Sequence, residues 1–383
     1  MIGPRILFWA SLVQLAYTYA GYPVLIGVLG RFRAKAWKKG DELPKVSLII
    51  AAWNEAGIIG QKLENALGLD YPRDRLEIIL ASDGSDDGTA AIASTFESRG
   101  VRVLDLPHRG KTATLNDAVE HASGDILVFS DANVFFRPDA LRKLVRHFAD
   151  PRIGGVSGDV RLKPEGFELG EAQGIYYRYE RFIQLCESKL GSIVGADGGM
   201  YAIRKKHFRK VPADLINDDF ILSMEVVRQG ARLVYDPEAI AEEESPDDPW
   251  SEFKRKTRVE QGNFQSLFRG YAVPTGKDPT ALWAYLSHKV ARWFGFIPMS
   301  ALALSSLRLR RNGPLYAVVF GGQSLFYGLA IVGMVTGGRG GSLVKIPHYF
   351  LLENLAAARG FVRLFSRTRD WGKAQTAARS GRG

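Results

Sequence analysis

Apolar residues in this chain fall into two kinds of pattern. Long uncharged stretches occupy both ends, and between them short apolar runs alternate with runs of helical period. Ile6–Gly30 holds 25 residues without a charge, between Arg5 and Arg31, more than the ~20 that cross a bilayer. No small-x-small cleavage pattern follows, so the stretch reads as an anchor rather than a leader. Arg31, Arg33, Lys35, Lys38 and Lys39 come next, and positive charge beside a span marks its cytoplasmic end. Residues 1–33 are therefore expected to anchor a cytoplasmic domain.

From Pro44 the pattern changes. Val46–Ala51 is a strand, and Ile58–Leu69 places apolar residues at helical spacing before Pro72 stops it. Leu76–Ala81 is a second strand, leading through a Gly/Asp/Ser turn to a helix from Thr89. Val101–Leu106 is a third strand, Lys111–His121 a helix, and Asp125–Ser130 a fourth strand. Alternation at these intervals predicts right-handed βαβ units and a parallel sheet. Further on, a helix is expected from Pro138 to Phe148, a strand near Gly154–Val160 and a long helix over Gly166–Lys189. Gly195–Tyr201 is a Gly-rich turn entering a strand, and Phe220–Gln229 a helix opened by Asn217-Asp218-Asp219, as an acidic first turn should. This α/β domain is expected over residues 44–248.

Trp250–Arg269 is amphipathic, with Phe253, Phe264, Leu267 and Phe268 set against Lys254, Arg255, Lys256 and Arg258. It reads as an interfacial helix within residues 249–280, or as a solvated basic face on an ordinary helix. Residues 281–370 turn apolar again. Leu315–Gly338 has 24 uncharged residues, Trp293–Leu307 only 15, and Ile346–Phe365 is interrupted by Glu353, Arg359 and Arg363. Charges within such segments face protein or water. Arg308, Arg310 and Arg311 mark a cytoplasmic end, whereas four simple crossings would place them outside. Either Trp293–Leu307 is re-entrant or the charge rule fails there.

A net charge of +10 suits nucleic acid, an anionic membrane surface or a phosphorylated substrate. The basic residues concentrate beside apolar segments, which favours lipid headgroups over nucleic acid. One cysteine, Cys186, excludes an internal disulfide framework and a multi-Cys metal site, and six scattered histidines leave no zinc spacing.

Candidate chemistry sits where strands end. Ser130-Asp131-Ala132-Asn133 closes the fourth strand, and ligands of open α/β sheets bind beyond the carboxyl ends of strands. Two oxygen donors at i and i+2 suit a hard divalent cation, although a capped turn has the same composition. Three more polar clusters follow strands in the same way: Trp53-Asn54-Glu55, Ser82–Thr89, and His108-Arg109-Gly110-Lys111 with Asn116. Dinucleotide and Walker fingerprints are absent. Carboxylates for ribose or base, Lys111 for a phosphate and Asp131 with Asn133 for a cation describe a nucleoside diphosphate site.

In this order the motifs Val46–Glu55, Ser82–Thr89, Gly110-Lys111, Ser130–Asn133 and Asn217–Asp219 resemble those of glycosyltransferase family 2, over roughly residues 44–270. The flanking apolar segments are similar to its membrane-integrated members, among them poly-N-acetylglucosamine, hyaluronan and cellulose synthases. The resemblance implies a GT-A fold, an α/β nucleotide-sugar domain on a Rossmann-like mixed sheet with N- and C-terminal transmembrane helices. It implies an inverting hexosyltransferase that uses a UDP-sugar and Mg²⁺ or Mn²⁺ and builds exopolysaccharide or glycolipid at the cytoplasmic face of the cell membrane. Its partners would be a glycan or lipid-linked acceptor and membrane lipids, with no nucleic acid.

Residue by residue, the resemblance implies that Glu55 and Asp83, with Asn54 beside them and the backbone at Ala51 beneath the base, hold the uridine. Lys111 and Arg258 would lie along the diphosphate. Asp131 matches the first acid of the family's D-x-D, and Asn133 stands at the second with one charge fewer. Asp219 matches the last residue of T-E-D and would be the general base; Asp218, Gly198, Gly199 and Gln261 would line the sugar and acceptor. Tyr201 and Trp250 are candidate stacking surfaces. The Q-x-x-R-W motif has a partial counterpart in Arg255–Val259, with Arg258 kept and Val259 in place of Trp. Processive synthesis and single transfer to a lipid-linked acceptor both stay open. A membrane-anchored nucleotide-binding regulator would keep the nucleotide clusters and have no need of Asp219.

Overall fold

The computed structural model describes residues 2–162, 170–243, 249–275, 278–337 and 340–365. Ile2–Phe32 is one long helix, α1, which loosens into a π-turn at Tyr17–Gly21. Its buried stripe of Phe8, Ser11, Thr18, Tyr22, Ile26 and Gly30 recurs at helical spacing and faces protein. Ile6, Val13, Val24 and Val28 on its other sides are exposed, an apolar surface suited to lipid.

The next elements are β1 (Val46–Ala52), α2 (Ala56–Leu67), β2 (Leu76–Asp83), α3 (Thr89–Ser94), β3 (Val101–Leu106), α4 (Lys111–His121) and β4 (Ile126–Asp131). β1 pairs in parallel with β2 and β4, and β2 with β3, as the alternating pattern predicts. Val46, Leu48 and Ile50 share one core with Ile59 and Leu63 of α2. Ile49 and Leu127 share the opposite one with Leu115 and Ala118 of α4. Burial on both faces is why these strands read as unbroken apolar runs.

Then follow β5 (Val134–Phe136), α5 (Ala140–Val145), β6 (Ile153–Leu162), α6 (Gly170–Leu190), β7 (Met200–Arg204), α7 (Asp218–Arg228) and β8 (Arg232–Glu243). Among the described residues the sheet has eight strands in the order β3-β2-β1-β4-β7-β6-β8-β5. β7 runs antiparallel to β4 and β6, and β5 antiparallel to β8, so the sheet is mixed. Patterning predicts neither β5 nor β8. β5 is too short to show a period. β8 contains Pro237, and its register with β6 jumps from Ser157–Tyr235 to Asp159–Ile240; the proline sits where no ladder bond is needed. The helix expected to reach Phe148 ends at Val145 in a 3₁₀ turn. Residues 166–169 of the expected long helix lie outside the described residues.

The C-terminal third holds α8 (Pro249–Phe268), α9 (Pro279–Trp293), α10 (Phe296–Leu309), α11 (Pro314–Val335) and α12 (Ser342–Arg363). α8 is gripped by protein rather than lying free: Glu252, Thr257, Phe264 and Ser266 are buried. It crosses α12 at Gly360, where a Cβ would come within 2.8 Å of the Gln261 nitrogen. Its basic cluster is largely engaged internally, Lys256 with Glu353 and Arg255 with Glu252, each at 2.8 Å. α9 and α10 meet at 59° and together are apolar enough for one broken span or a re-entrant loop. The short Trp293–Leu307 stretch is thus the second limb of a bent pair. With α1, α11 is long and apolar enough to cross a membrane. Residues 338 and 366–370 of the expected segments lie outside the described residues.

Candidate active site

β1 is the hub of the site. In the sheet register Ala51 lies opposite both Ala81 and Asp131, which brings the turns after β1, β2 and β4 to one rim. Asn54 takes left-handed backbone (φ 54°), a conformation asparagine tolerates better than most residues. Its amide donates to Asp86 Oδ1 (2.8 Å) and accepts from the Asp86 N–H (3.1 Å), while its own N–H donates to Ser85 Oγ (3.1 Å). Glu55 is buried at the head of α2, its N–H donating to Thr89 Oγ1 at 2.8 Å. Trp53 stacks on His108 with centroids 5.2 Å apart, an aromatic flank to the rim.

Asp83 is buried, and its carboxylate accepts from the N–H groups of Arg109 (2.8 Å) and Gly110 (3.0 Å) and the Thr114 hydroxyl (2.9 Å). These bonds clamp the loop before α4, whose Gly110 has φ 97°, and so deliver Lys111. Asp83 therefore builds the loop that carries Lys111.

Lys111 Nζ lies 2.6 Å from Asp131 Oδ1 and 3.8 Å from Asp218 Oδ2. Burial alone would lower its pKa, but Asp131, Asp218 and Asp219 outweigh burial and hold it well above the usual lysine value. It is a fixed cation. Burial raises the carboxyls of Asp218 and Asp219, Lys111 opposes the shift, and neighbouring carboxylates add to it. A raised carboxyl is a stronger proton acceptor than an ordinary surface aspartate.

Asp219 is seated by the absence of a side chain: a Cβ on Gly198 would overlap its carboxylate. At Gly199 a Cβ would press Val134 and Val160 at 3.0 and 3.1 Å. Asn217 does not cap α7 with its side chain. Its amide donates instead to the Val259 carbonyl (2.9 Å) and to Asn263 Oδ1 (2.8 Å), tying the start of α7 to α8. A Cβ at Gly262 would overlap that amide. Arg258, half-buried on α8, feels the charges of Asp218, Asp131 and Asp219.

Three sequence candidates make contacts other than those expected of them. Gln261 donates to the Arg363 carbonyl of α12 (3.4 Å), because the tight crossing at Gly360 turns it toward that helix. Tyr201 is buried against Phe129, centroids 4.9 Å apart, as an inward residue of β7. Trp250 stacks on Phe253 of its own helix.

Three residues that motif reading passes over belong to the site. Lys62 is fully buried on the apolar face of α2 with Ile59, Leu63 and Ala66. It donates to Ser130 Oγ (2.7 Å) and the Val134 carbonyl, and lies 4.6 Å from the Phe136 ring centroid. Burial pushes its pKa down to about 7, with Asp131 opposing. A lysine within an apolar helical stripe was the available signal. Asp197 is pushed up to about 7 by burial and by the nearby Glu243, Asp219 and Asp131 carboxylates, with the Gly199 N–H opposing. Glu243 accepts from Asn133 Nδ2 at 3.1 Å; its strand was not predicted, so nothing drew attention to it.

Among the described residues no group of three or more His, Cys, Asp or Glu is arranged to hold a metal ion, so Asp131 and Asn133 would offer a divalent cation only part of its shell, a bound diphosphate the rest. The Lys111 ammonium already lies between the carboxylates of Asp131 and Asp218, and Asp218 Oδ2 is buried without a hydrogen-bond partner. An all-oxygen set that accepts positive charge fits a hard cation.

Residues 47–211 match the model for glycosyl transferase family 2. Over 265 residues the chain is 28% identical to the poly-beta-1,6-N-acetyl-D-glucosamine synthase of Staphylococcus aureus strain MSSA476, covering 64% of each chain. Over 258 residues it is 28% identical to the synthase of that name from Staphylococcus epidermidis strain ATCC 35984, covering 66% of this chain and 62% of the relative. The chain thus matches under two thirds of the length of these curated relatives. The solved mannosyltransferase PcManGT of Pyrobaculum calidifontis, in complex with GDP-Man and Mn²⁺, aligns over 95% of this chain and 100% of its own, with a TM-score of 0.71 and 23% identity.

Proposed function

Because the chain carries a glycosyltransferase family 2 domain on a GT-A fold, we propose that it transfers a sugar from a UDP-sugar to a polysaccharide or lipid-linked acceptor, inverting the anomeric centre. The observation that carries this reading is the seating of Asp219 against Gly198 on the rim that holds Lys111 and Asp131. The raised Asp219 carboxylate stands beside fixed cations, an arrangement suited to displacing a diphosphate. The Asp219 carboxylate takes the proton of an acceptor hydroxyl. That oxygen forms a bond to the anomeric carbon from the face opposite the nucleotide. The bond from that carbon to the diphosphate oxygen breaks, its electron pair leaving with the nucleoside diphosphate. A single carboxylate suffices, because the leaving group needs charge stabilisation rather than a proton.

Lys111 and Arg258 supply that stabilisation from fixed positions, where preorganised charge is worth several kcal/mol in a dry site. Asp131 and Asn133 would hold Mg²⁺ or Mn²⁺, which would add Lewis-acid stabilisation of the diphosphate. Asn54, Glu55, Asp83 and the backbone at Ala51 form the nucleoside end. The basic residues after α1 support a cytoplasmic orientation of the domain at the cell membrane.

Two kinds of product fit this site. A polymer follows the staphylococcal synthases. Transfer of one sugar to a lipid-linked acceptor is the second reading, carried by Val259 at the position of the synthases' tryptophan. The deciding experiment is radiolabelled transfer by the purified chain in lipid, from a panel of UDP-sugars with GDP-mannose included, followed by product sizing. Label in a long glycan supports polymerisation and label in a small lipid product supports single transfer. Donor hydrolysis alone, or binding without turnover, overturns the transferase reading.

A further inference from the structure

We propose that Glu243 is a positioning residue of the cation site, replacing from the neighbouring strand the charge that Asn133 lacks and fixing the orientation of the Asn133 amide. The inference rests on the reading of Asp131 and Asn133 as cation donors. A pair of aspartates at these positions would bring two negative charges, and this chain has one. The β5–β8 ladder sets Val134 directly opposite Glu243, so the residue before β5 lies beside the last residue of β8. Asn133 Nδ2 donates to Glu243 Oε1 at 3.1 Å.

That bond has two consequences. An amide offers a donor at one end and an acceptor at the other. With Nδ2 committed to Glu243, the oxygen is the end left for a cation, and the flip that would present N–H groups to it is disfavoured. Glu243 also puts a carboxylate directly against Asn133, the position where an aspartate would bring its own. The base whose charge acts on Glu243, Arg255, holds Glu252 through both Nε (2.8 Å) and Nη2 (2.9 Å), so much of its charge is already matched. Glu242, one residue earlier, pairs with Arg137 at 3.1 Å and provides a control of the same charge on the same strand. Partners of this kind around metal ligands typically change metal affinity by about 10–100-fold when removed.

The test titrates Mn²⁺ onto the full chain in lipid, reading free Mn²⁺ by electron paramagnetic resonance, with UDP and then GDP present. Glu243→Gln should weaken Mn²⁺ binding about ten-fold or more, while Glu242→Gln leaves it unchanged. Moving the charge back, in Asn133→Asp with Glu243→Gln, should recover most of the loss; a single variant that fails to fold leaves this double variant as the decisive one. Glu243→Gln binding as tightly as Glu242→Gln overturns the inference alone, as does a folded double variant no better than Glu243→Gln. Unaltered binding in Asp131→Asn, or no Mn²⁺ uptake by the unmodified chain, overturns the cation-site reading and this inference together.

Discussion

The two halves of the sheet contribute to the site in different ways. In the parallel half, β3-β2-β1-β4, each functional group stands at a strand's carboxyl end and is held by the next loop, as Asp83 holds the chain before Lys111. In the mixed half, β7-β6-β8-β5, placement depends on contacts between distant segments: a missing side chain at Gly198, an amide tie from Asn217 to α8, a ladder pair at Glu243. In the proposed mechanism the first half presents charge to a nucleotide. The second aims one carboxylate and corrects one charge. Charge recognition tolerates small displacements because Coulomb energy falls slowly with distance. Proton transfer does not, because it needs hydrogen-bond reach.

That contrast can be broken from either side. Asp219→Asn removes the base and should lower transfer by about 10²–10⁴-fold, with UDP affinity by calorimetry close to that of the unmodified chain. Gly198→Ala pushes a methyl group into the Asp219 carboxylate, and a displacement near 1 Å there costs about 10²-fold in turnover, again with nucleotide binding retained. On the parallel side the pattern reverses. Asp83→Asn leaves buried N–H groups with poorer acceptors, lowering stability by about 1–3 kcal/mol and raising the donor KM more than it lowers kcat. Comparable loss of nucleotide affinity in Gly198→Ala and Asp83→Asn would erase the division.

A finer probe separates the two lysines on either side of Asp131. Lys111 is held charged by carboxylates, whereas Lys62 contacts a hydroxyl, a carbonyl and a ring, and Asp131 does not offset its burial. Between its folded pKa of about 7 and its ordinary 10.5, the unfolded chain keeps the Lys62 proton and the folded chain gives it up. Stability from this group therefore rises with pH across that window, by up to about 1.4 kcal/mol per pH unit. Lys62→Met should flatten that part of the profile in thermal unfolding between pH 7 and 10. An unchanged profile would mean that Lys62 stays charged when folded.

The same division explains what could be read from the residues alone. β1 to β4 are apolar runs ending in polar clusters, and a strand buried on both faces leaves that mark. The shared polar rim was legible because its residues lie within a few positions of those strand ends. β8 was not, because Pro237 interrupts it at a register shift, and Glu243 was lost with it. Lys62 was visible only as a charge in an apolar stripe. The bend between α9 and α10 shows why the apolar segment from Trp293 looked too short: α9 supplies the other limb.

The central claim is that Asp219 drives a direct displacement at the anomeric carbon. Its most direct test is the anomeric configuration of the glycosidic bond made from an α-linked nucleotide sugar, read by proton NMR on the isolated product. A β-linked product is predicted. An α-linked product would require a second displacement or a front-face path and would contradict the account.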